Sequence, residues 1–189
     1  YVFHLAALMC SVFALGVKDR VQQAAGLAYA GAAIAAVFSG DFISLFVFWE
    51  LTAVTSVFLV WATGTPRSYA SGMRYLIIQV LSGVLLLAGV LFRAEAGFGI
   101  EMGPVGLTGS IDTTLIFLAF GIKAAFPLLH TWLQDSYPKA SAVGAVMLSA
   151  FATKLAIYTL ARGFASLDAS VSRPKTTEST VERMCGRSL

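Results

Sequence analysis

Three ionisable residues stand where membrane-spanning sequence ought to exclude them. Glu50 interrupts an otherwise uncharged run at 42–62, Lys123 lies inside 112–136, and Lys154 lies inside 141–162. A charge facing lipid costs at least ~2.5–3.5 kcal/mol on insertion scales, so each should face the interior of a helix bundle. At 1.5 Å per residue, Glu50 is roughly 12 Å from the outer end of its run and Lys123 roughly 16 Å. Lys154, on a run of the opposite direction, is roughly 12 Å from the same side. The matched depths predict that the three converge near the bilayer midplane and face one another. A single intramembrane charge is explained by a polar pair between helices, whereas three at one depth favour a path for protons. Burial disfavours an ammonium and a nearby carboxylate favours it, so balanced influences let a lysine gain and lose a proton at little cost.

Pro127 follows Lys123 by one helical turn. Inside a helix it removes a backbone donor and clashes with the preceding turn, so it predicts a kink or a break. A plain kink is common in membrane helices; a break at membrane depth marks an ion pathway in transporters. His130, three residues further on, either extends a proton wire or caps freed carbonyls. Trp49, Trp61 and Trp132 suit packing or interface positions better than a stacking role, and His4 suits a boundary.

The elements that must position these residues follow from composition. Of 189 residues 58% are hydrophobic and 12% charged, against roughly 45–50% and 25% in a soluble domain. Seven of the 23 charged residues fall in the last 27 positions. A mean hydropathy of +0.80 then implies several spans of ~20 residues each. Apolar runs at 1–16, 21–40, 42–62, 70–92, 112–136 and 141–162 predict six. The second is rich in the Ala and Gly that permit close packing in lipid. No alternating ten-residue segments suggest a β-barrel. The expected fold class is all-α, a polytopic transmembrane helical bundle of about six spans.

Cys10 and Cys185 form no ligand spacing, and with only His4 and His130 the sequence offers no zinc, haem or iron–sulfur site. No cofactor is expected, and any redox chemistry falls to a partner chain. The basic residues stand singly rather than in a stripe, which argues against nucleic acid. Loops after spans one, three and five carry Lys18, Arg20, Arg67, Arg74 and Lys139, while those after two and four carry Arg93 against Glu95 and Glu101. The positive-inside rule puts the first set in the cytoplasm. The tail would then lie outside despite Arg173, Lys175, Arg183 and Arg187. With its abrupt Ser/Thr/Arg-rich composition, 165–189 reads as a polar tail, either translocated or not native. Residues 1–20 read as a truncated first span and its loop, and 21–164 as the transmembrane domain proper.

The residues of that domain carry a family resemblance. Gly40-Asp41 with Phe48-Trp49-Glu50-Leu51, Gly121-Ile122-Lys123-Ala124-Ala125-Phe126-Pro127 with His130-Thr131-Trp132-Leu133, and Thr153-Lys154 with Tyr158 and Arg162 are similar to one proton-translocating membrane family. It is shared by the antiporter-like subunits of respiratory complex I and the large subunits of Mrp-type sodium/proton antiporters. The resemblance implies that Glu50 matches the glutamate of the family's fifth helix, Lys123 the lysine of its broken seventh and Lys154 that of its eighth. Members have about fourteen helices around two inverted repeats, so this chain would be a fragment holding helices three to eight, one half of that fold. The family motif usually continues Pro-Asp-Ala after Trp-Leu, where this chain reads Gln134-Asp135-Ser136. That departure leans toward the Mrp-type antiporter proteins over the true complex I subunits.

The resemblance implies a proton-conducting subunit of a multi-subunit monovalent cation/proton antiporter. The alternatives are a proton-pumping subunit of NADH-quinone oxidoreductase, which makes enzyme status open, and an inactive truncated fragment. The implied proton path is Glu50, Lys123, Lys154 and His130, with the helix break at Pro127. The implied partners are other membrane subunits, protons, sodium or potassium, and the lipid of a bacterial plasma membrane.

Overall fold

Side chains at the start of each apolar run fix where its helix begins. In a computed structural model, which describes residues 1–164, Asp19 accepts a hydrogen bond from the Val21 N–H at 3.0 Å and opens α2. Asp41 accepts from the Ser44 N–H and hydroxyl, both at 2.7 Å, and opens α3. Those bonds hold its carboxyl below the usual carboxylate range. Thr65 and Ser68 form a reciprocal capping box, with Pro66 in the first turn of α4, where its missing N–H costs nothing.

The elements are α1 (Val2–Ala14), α2 (Arg20–Phe38), α3 (Phe42–Trp61), α4 (Pro66–Glu95), α5 (Ile111–Lys123), α6 (Thr131–Ser136), a 3₁₀ turn at Tyr137–Lys139, and α7 (Ala142–Phe164). Four of them, α2, α3, α4 and α7, are each long and apolar enough to cross a membrane. The expected fifth span is not one continuous helix. It ends after the 13 residues of α5, a rise of about 20 Å against ~30 Å of hydrocarbon, and resumes as the short α6. The tail from 165, with Cys185, lies outside the described residues.

Hydrogen bonds sort the connections into two faces. On one, Phe42 N–H donates to Ile100 O (2.9 Å), Met102 N–H to Gly40 O (3.0 Å) and Val105 N–H to Gly163 O (2.7 Å), and Arg162 reaches Ser39 O at 2.8 Å. The loop between α4 and α5 thus clasps the α2–α3 turn and the end of α7. On the other face, Thr63 donates to Lys139 O at 3.0 Å, Ser71 to Asp135 O at 2.9 Å, and Arg74 and Lys139 both pair with Asp135. This second face collects Arg67, Arg74 and Lys139, the cations that the positive-inside rule assigns to the cytoplasm. A cysteine replacing Thr65 is therefore expected to react with an impermeant maleimide only from the cytoplasmic side, and one replacing Gly103 only from outside. Reversed labelling would overturn the orientation.

Inside, two apolar clusters stack along the bundle axis. One holds Val57, Tyr75, Trp132, Met147 and Phe151; the other holds Phe42, Trp49, Leu86, Ile116, Phe120 and Leu155. Helices α3 and α7 meet where a Cβ on Gly144 would lie 2.7 Å from Leu59 O, a backbone approach that only glycine permits. Between the clusters runs a layer of buried polar groups: Thr52, Ser56, Gln79, Ser82 and Lys123.

Candidate functional site

The polar layer is organised by the break in α5. Had the helix continued, the Pro127 ring would have met the carbonyl four residues back, which belongs to Lys123, the last helical residue. The chain turns instead. Phe126 N–H bonds to Gly121 O at 3.0 Å and Ala125 N–H to Ile122 O at 3.1 Å, with Ala125 at φ 59°. This is a Schellman ending with alanine where glycine is usual. Leu129 N–H then returns to Phe126 O at 2.8 Å, closing a turn with Pro127 second and Leu128 third, at φ 74°. Two non-glycine residues in the left-handed region cost roughly 1–2 kcal/mol each. Trp132 donates its indole N–H at 3.0 Å to the Ile122 carbonyl, which thus accepts two bonds, and so ties α6 to the end of α5.

Lys123 is 1% exposed. Its ammonium donates to Trp49 O at 2.9 Å and to the Thr52 hydroxyl at 2.8 Å, and sits 4.3 Å from the centroid of the Trp49 ring. A desolvated cation over an indole is stabilised by about 2 kcal/mol. Trp49 is itself fixed, donating to Ser82 at 3.1 Å, and Ser82 donates to Ala119 O at 2.8 Å. Every direct partner of the ammonium is neutral.

Glu50 neighbours Trp49 on α3 and lies within electrostatic range of Lys123. Among the described residues the two make no direct ion pair. The carboxyl packs on Gly83 of α4, where any Cβ would collide with it, and its buried Oε1 has no hydrogen-bond partner. Glu50 and Lys123 therefore meet at one level, as expected, with an uncompensated carboxylate oxygen between helices.

Lys154 does not join them. It is exposed on the outer surface of α7, its ammonium donating to Ser149 O at 2.6 Å. The expectation that all three charges face one another is corrected: Lys154 points away from the polar layer. His130 is half-buried at the start of α6 and its side chain caps nothing there. Trp132, not His130, is the side chain that reaches a carbonyl at the end of α5.

Trp49 and Trp132 thus do more than pack, and Thr52, Ser82 and Gln79 belong to the site although they carry no charge. The signal for Gln79 and Ser82 was spacing: Ser68, Ser71, Tyr75, Gln79 and Ser82 recur every three or four residues of α4, one polar stripe on one helix face.

Comparison with known proteins agrees with this architecture. The transmembrane family described as NADH:quinone oxidoreductase/Mrp antiporter matches residues 39–178. The chain is 27% identical over 157 residues to a Na(+)/H(+) antiporter subunit of Bacillus subtilis (strain 168), covering 78% of this chain and 32% of that protein. It is 28% identical over 156 residues to the NAD(P)H-quinone oxidoreductase chain 4 1 of Synechococcus elongatus, covering 78% and 29%. A solved structure of the Mrp complex from Dietzia sp. DQ12-45-1b superposes with a TM-score of 0.76 at 27% identity, covering 91% of this chain and 35% of that one. An archaeal membrane-bound sulfane sulfur reductase shares the fold, with a TM-score of 0.74 at 22% identity over 85% and 35%. The chain spans about a third of the length of these relatives. With its apolar helices it is a multi-pass integral membrane protein. It belongs to the NADH:quinone oxidoreductase/Mrp antiporter membrane family.

Proposed function

We propose that this chain is the proton-carrying part of a subunit in a monovalent cation/proton antiporter, working among other membrane subunits in a bacterial plasma membrane. The observation that carries this reading is the setting of Lys123. A titratable amine is buried at a helix break against neutral oxygens and an indole, one residue from the level of an unpartnered carboxylate oxygen on Glu50. Such a group can be loaded and unloaded without dismantling an ion pair. Pro127 holds the break open, and His130 stands beside it. Lys154, on the outward face of α7, would pass a proton to whatever protein surface covers that face.

A second reading has support in the quinone oxidoreductase relative, whose identity nearly equals that of the antiporter relative. There the same path would serve a pump driven by NADH–quinone electron transfer. The native assembly in liposomes separates them. Sodium or potassium should collapse an imposed pH gradient with no electron donor present. A gradient that changes only when NADH and quinone are supplied would select the pump, and no response to either would leave an inactive fragment.

A further inference from the structure

One unbroken neighbour lies beside both halves of the broken helix. Helix α4 borders α5 through Arg93, 3.6 Å from the buried Asp112 carboxylate, and through Gly89, where a Cβ would stand 2.7 Å from the Ile116 side chain. The Ser82 bond to Ala119 O completes that contact. The same helix borders α6 through Tyr75, whose ring centroid lies 5.5 Å from that of Trp132, and through Ser71 and Arg74, which both end on Asp135.

The two halves are fastened differently. α5 is set into the apolar cluster by Ile116, Ala119 and Phe120. α6 has six residues, too few to hold a helix without outside support. At its start the Trp132 indole reaches the carbonyl of Ile122, the residue before Lys123. One turn later Asp135 gathers polar ties from three side chains. Arg74 Nε donates to its Oδ2 at 2.8 Å, with Nη2 2.6 Å from the same oxygen. Lys139 pairs with Oδ1, and Ser71 donates to the backbone carbonyl at 2.9 Å. A lone exposed ion pair holds little, but a carboxylate shared by two cations is a network, and networks are the exception.

We propose that Asp135 is a positioning residue for Lys123: paired with Arg74 and Lys139 it fixes α6 on α4, and α6 fixes the end of α5 through Trp132. Asp135 and Trp132 share one face of α6, so a shift at the carboxylate reaches the indole without bending the helix. Ile122 carries that shift to Lys123, whose ammonium must stay within reach of Trp49 O and the Thr52 hydroxyl on α3. Asp112, paired with Arg93, holds the far end of α5 still. Asp135 exchanges no proton with the carrier and acts only through the placement of α6. The inference rests on Lys123 as the proton carrier.

The test uses the native assembly in liposomes, with flux divided by the amount of assembled protein. Asp135→Asn, which keeps the shape and removes the charge, should slow proton transport at least threefold. Asp135→Glu, which restores the charge, should stay within twofold of the wild type. Spin labels replacing Thr114 of α5 and Gln134 of α6, both exposed, read the separation of the two halves by pulsed electron paramagnetic resonance once the native cysteines are replaced. Asp135→Asn should shift that distance by about 2 Å, the scale of a helix shift, and Asp135→Glu should not. Trp132→Phe, which keeps a ring beside Tyr75 and loses the indole donor, should slow transport as much, with no further loss when combined with Asp135→Asn. Arg74→Gln, at an exposed site, should displace α6 and slow transport too, and covers the case in which Asp135→Asn fails to assemble. Slow transport with an unmoved α6, or equal losses in Asp135→Asn and Asp135→Glu, would overturn the positioning role. Normal transport in Asp135→Asn, with Lys123→Ala inactive, would overturn it and leave the role of Lys123 standing. Normal transport in Lys123→Ala would overturn both.

Discussion

Lys123→Ala and Lys123→Arg should both lose proton transport by at least about a hundredfold, the lower range of what a positioned proton-transferring side chain contributes. The pair of variants is chosen because it separates two roles. Arginine keeps a permanent cation over the Trp49 ring and fails to release a proton at any accessible pH, so a lysine needed only as a structural charge would be rescued by it. Folding should survive alanine. The Thr52 hydroxyl already donates to Trp49 O at 2.7 Å, so both oxygens that receive the ammonium keep a partner after it is gone. Flux is measured as decay of an imposed pH gradient in liposomes carrying equal amounts of each variant. An arginine variant within a few-fold of the wild type would show that the charge, not its exchange, is what the site needs.

Gly83→Ala should impair transport about tenfold although it adds one methyl group far from any titratable atom in sequence. The new Cβ would stand 2.6 Å from Cδ of Glu50 and closer still to Oε1, so the carboxyl has to leave its position against α4. Overpacking of this kind costs about 1–3 kcal/mol in a tight interior. Here the half-buried Glu50 side chain yields, which moves the penalty from stability to function. The mechanism is checked by a cycle with Glu50→Gln. If both substitutions act through the same carboxyl, the double variant should be less impaired than the sum by at least ~0.5 kcal/mol, as for residues in one network. Additive losses would mean that Gly83 matters for helix packing alone.

The limits of helices α2, α3 and α7 were legible because a long apolar run bounded by charge or by a turn has one cheap arrangement in lipid, whereas α4 (Pro66–Glu95) outruns its apolar run of 70–92 at both ends, opened early by the Thr65–Ser68 capping box. The shared level of Glu50 and Lys123 was legible for the same reason, since rise per residue is constant. Direction was not. In a membrane both the inner and the outer face of a helix are apolar, so hydrophobic periodicity fades, and Lys154 looked as central as Lys123. The clue was in small residues: Gly144, Ala152, Ala156 and Thr159 mark the packed side of α7, while Val146, Ser149, Lys154 and Ile157 mark the other. The form of the break was hidden too. Pro127 announced an interruption, but the two left-handed residues that shape it are Ala125 and Leu128, which carry no local preference for that conformation. Gln79 escaped notice because a neutral amide does not raise the alarm that a charge does, although its burial is as demanding.

The outward ammonium of Lys154 has a consequence for how much of this protein a cell can keep. Left against acyl chains, that one side chain costs roughly 2.5–3.5 kcal/mol, which at 1.4 kcal/mol per decade is a bias of roughly sixty- to three-hundredfold against leaving that face bare. A protein with such a surface is tolerated only when something polar or aqueous covers it. Its steady-state amount should then follow the supply of the covering surface, since every uncovered copy carries that insertion penalty.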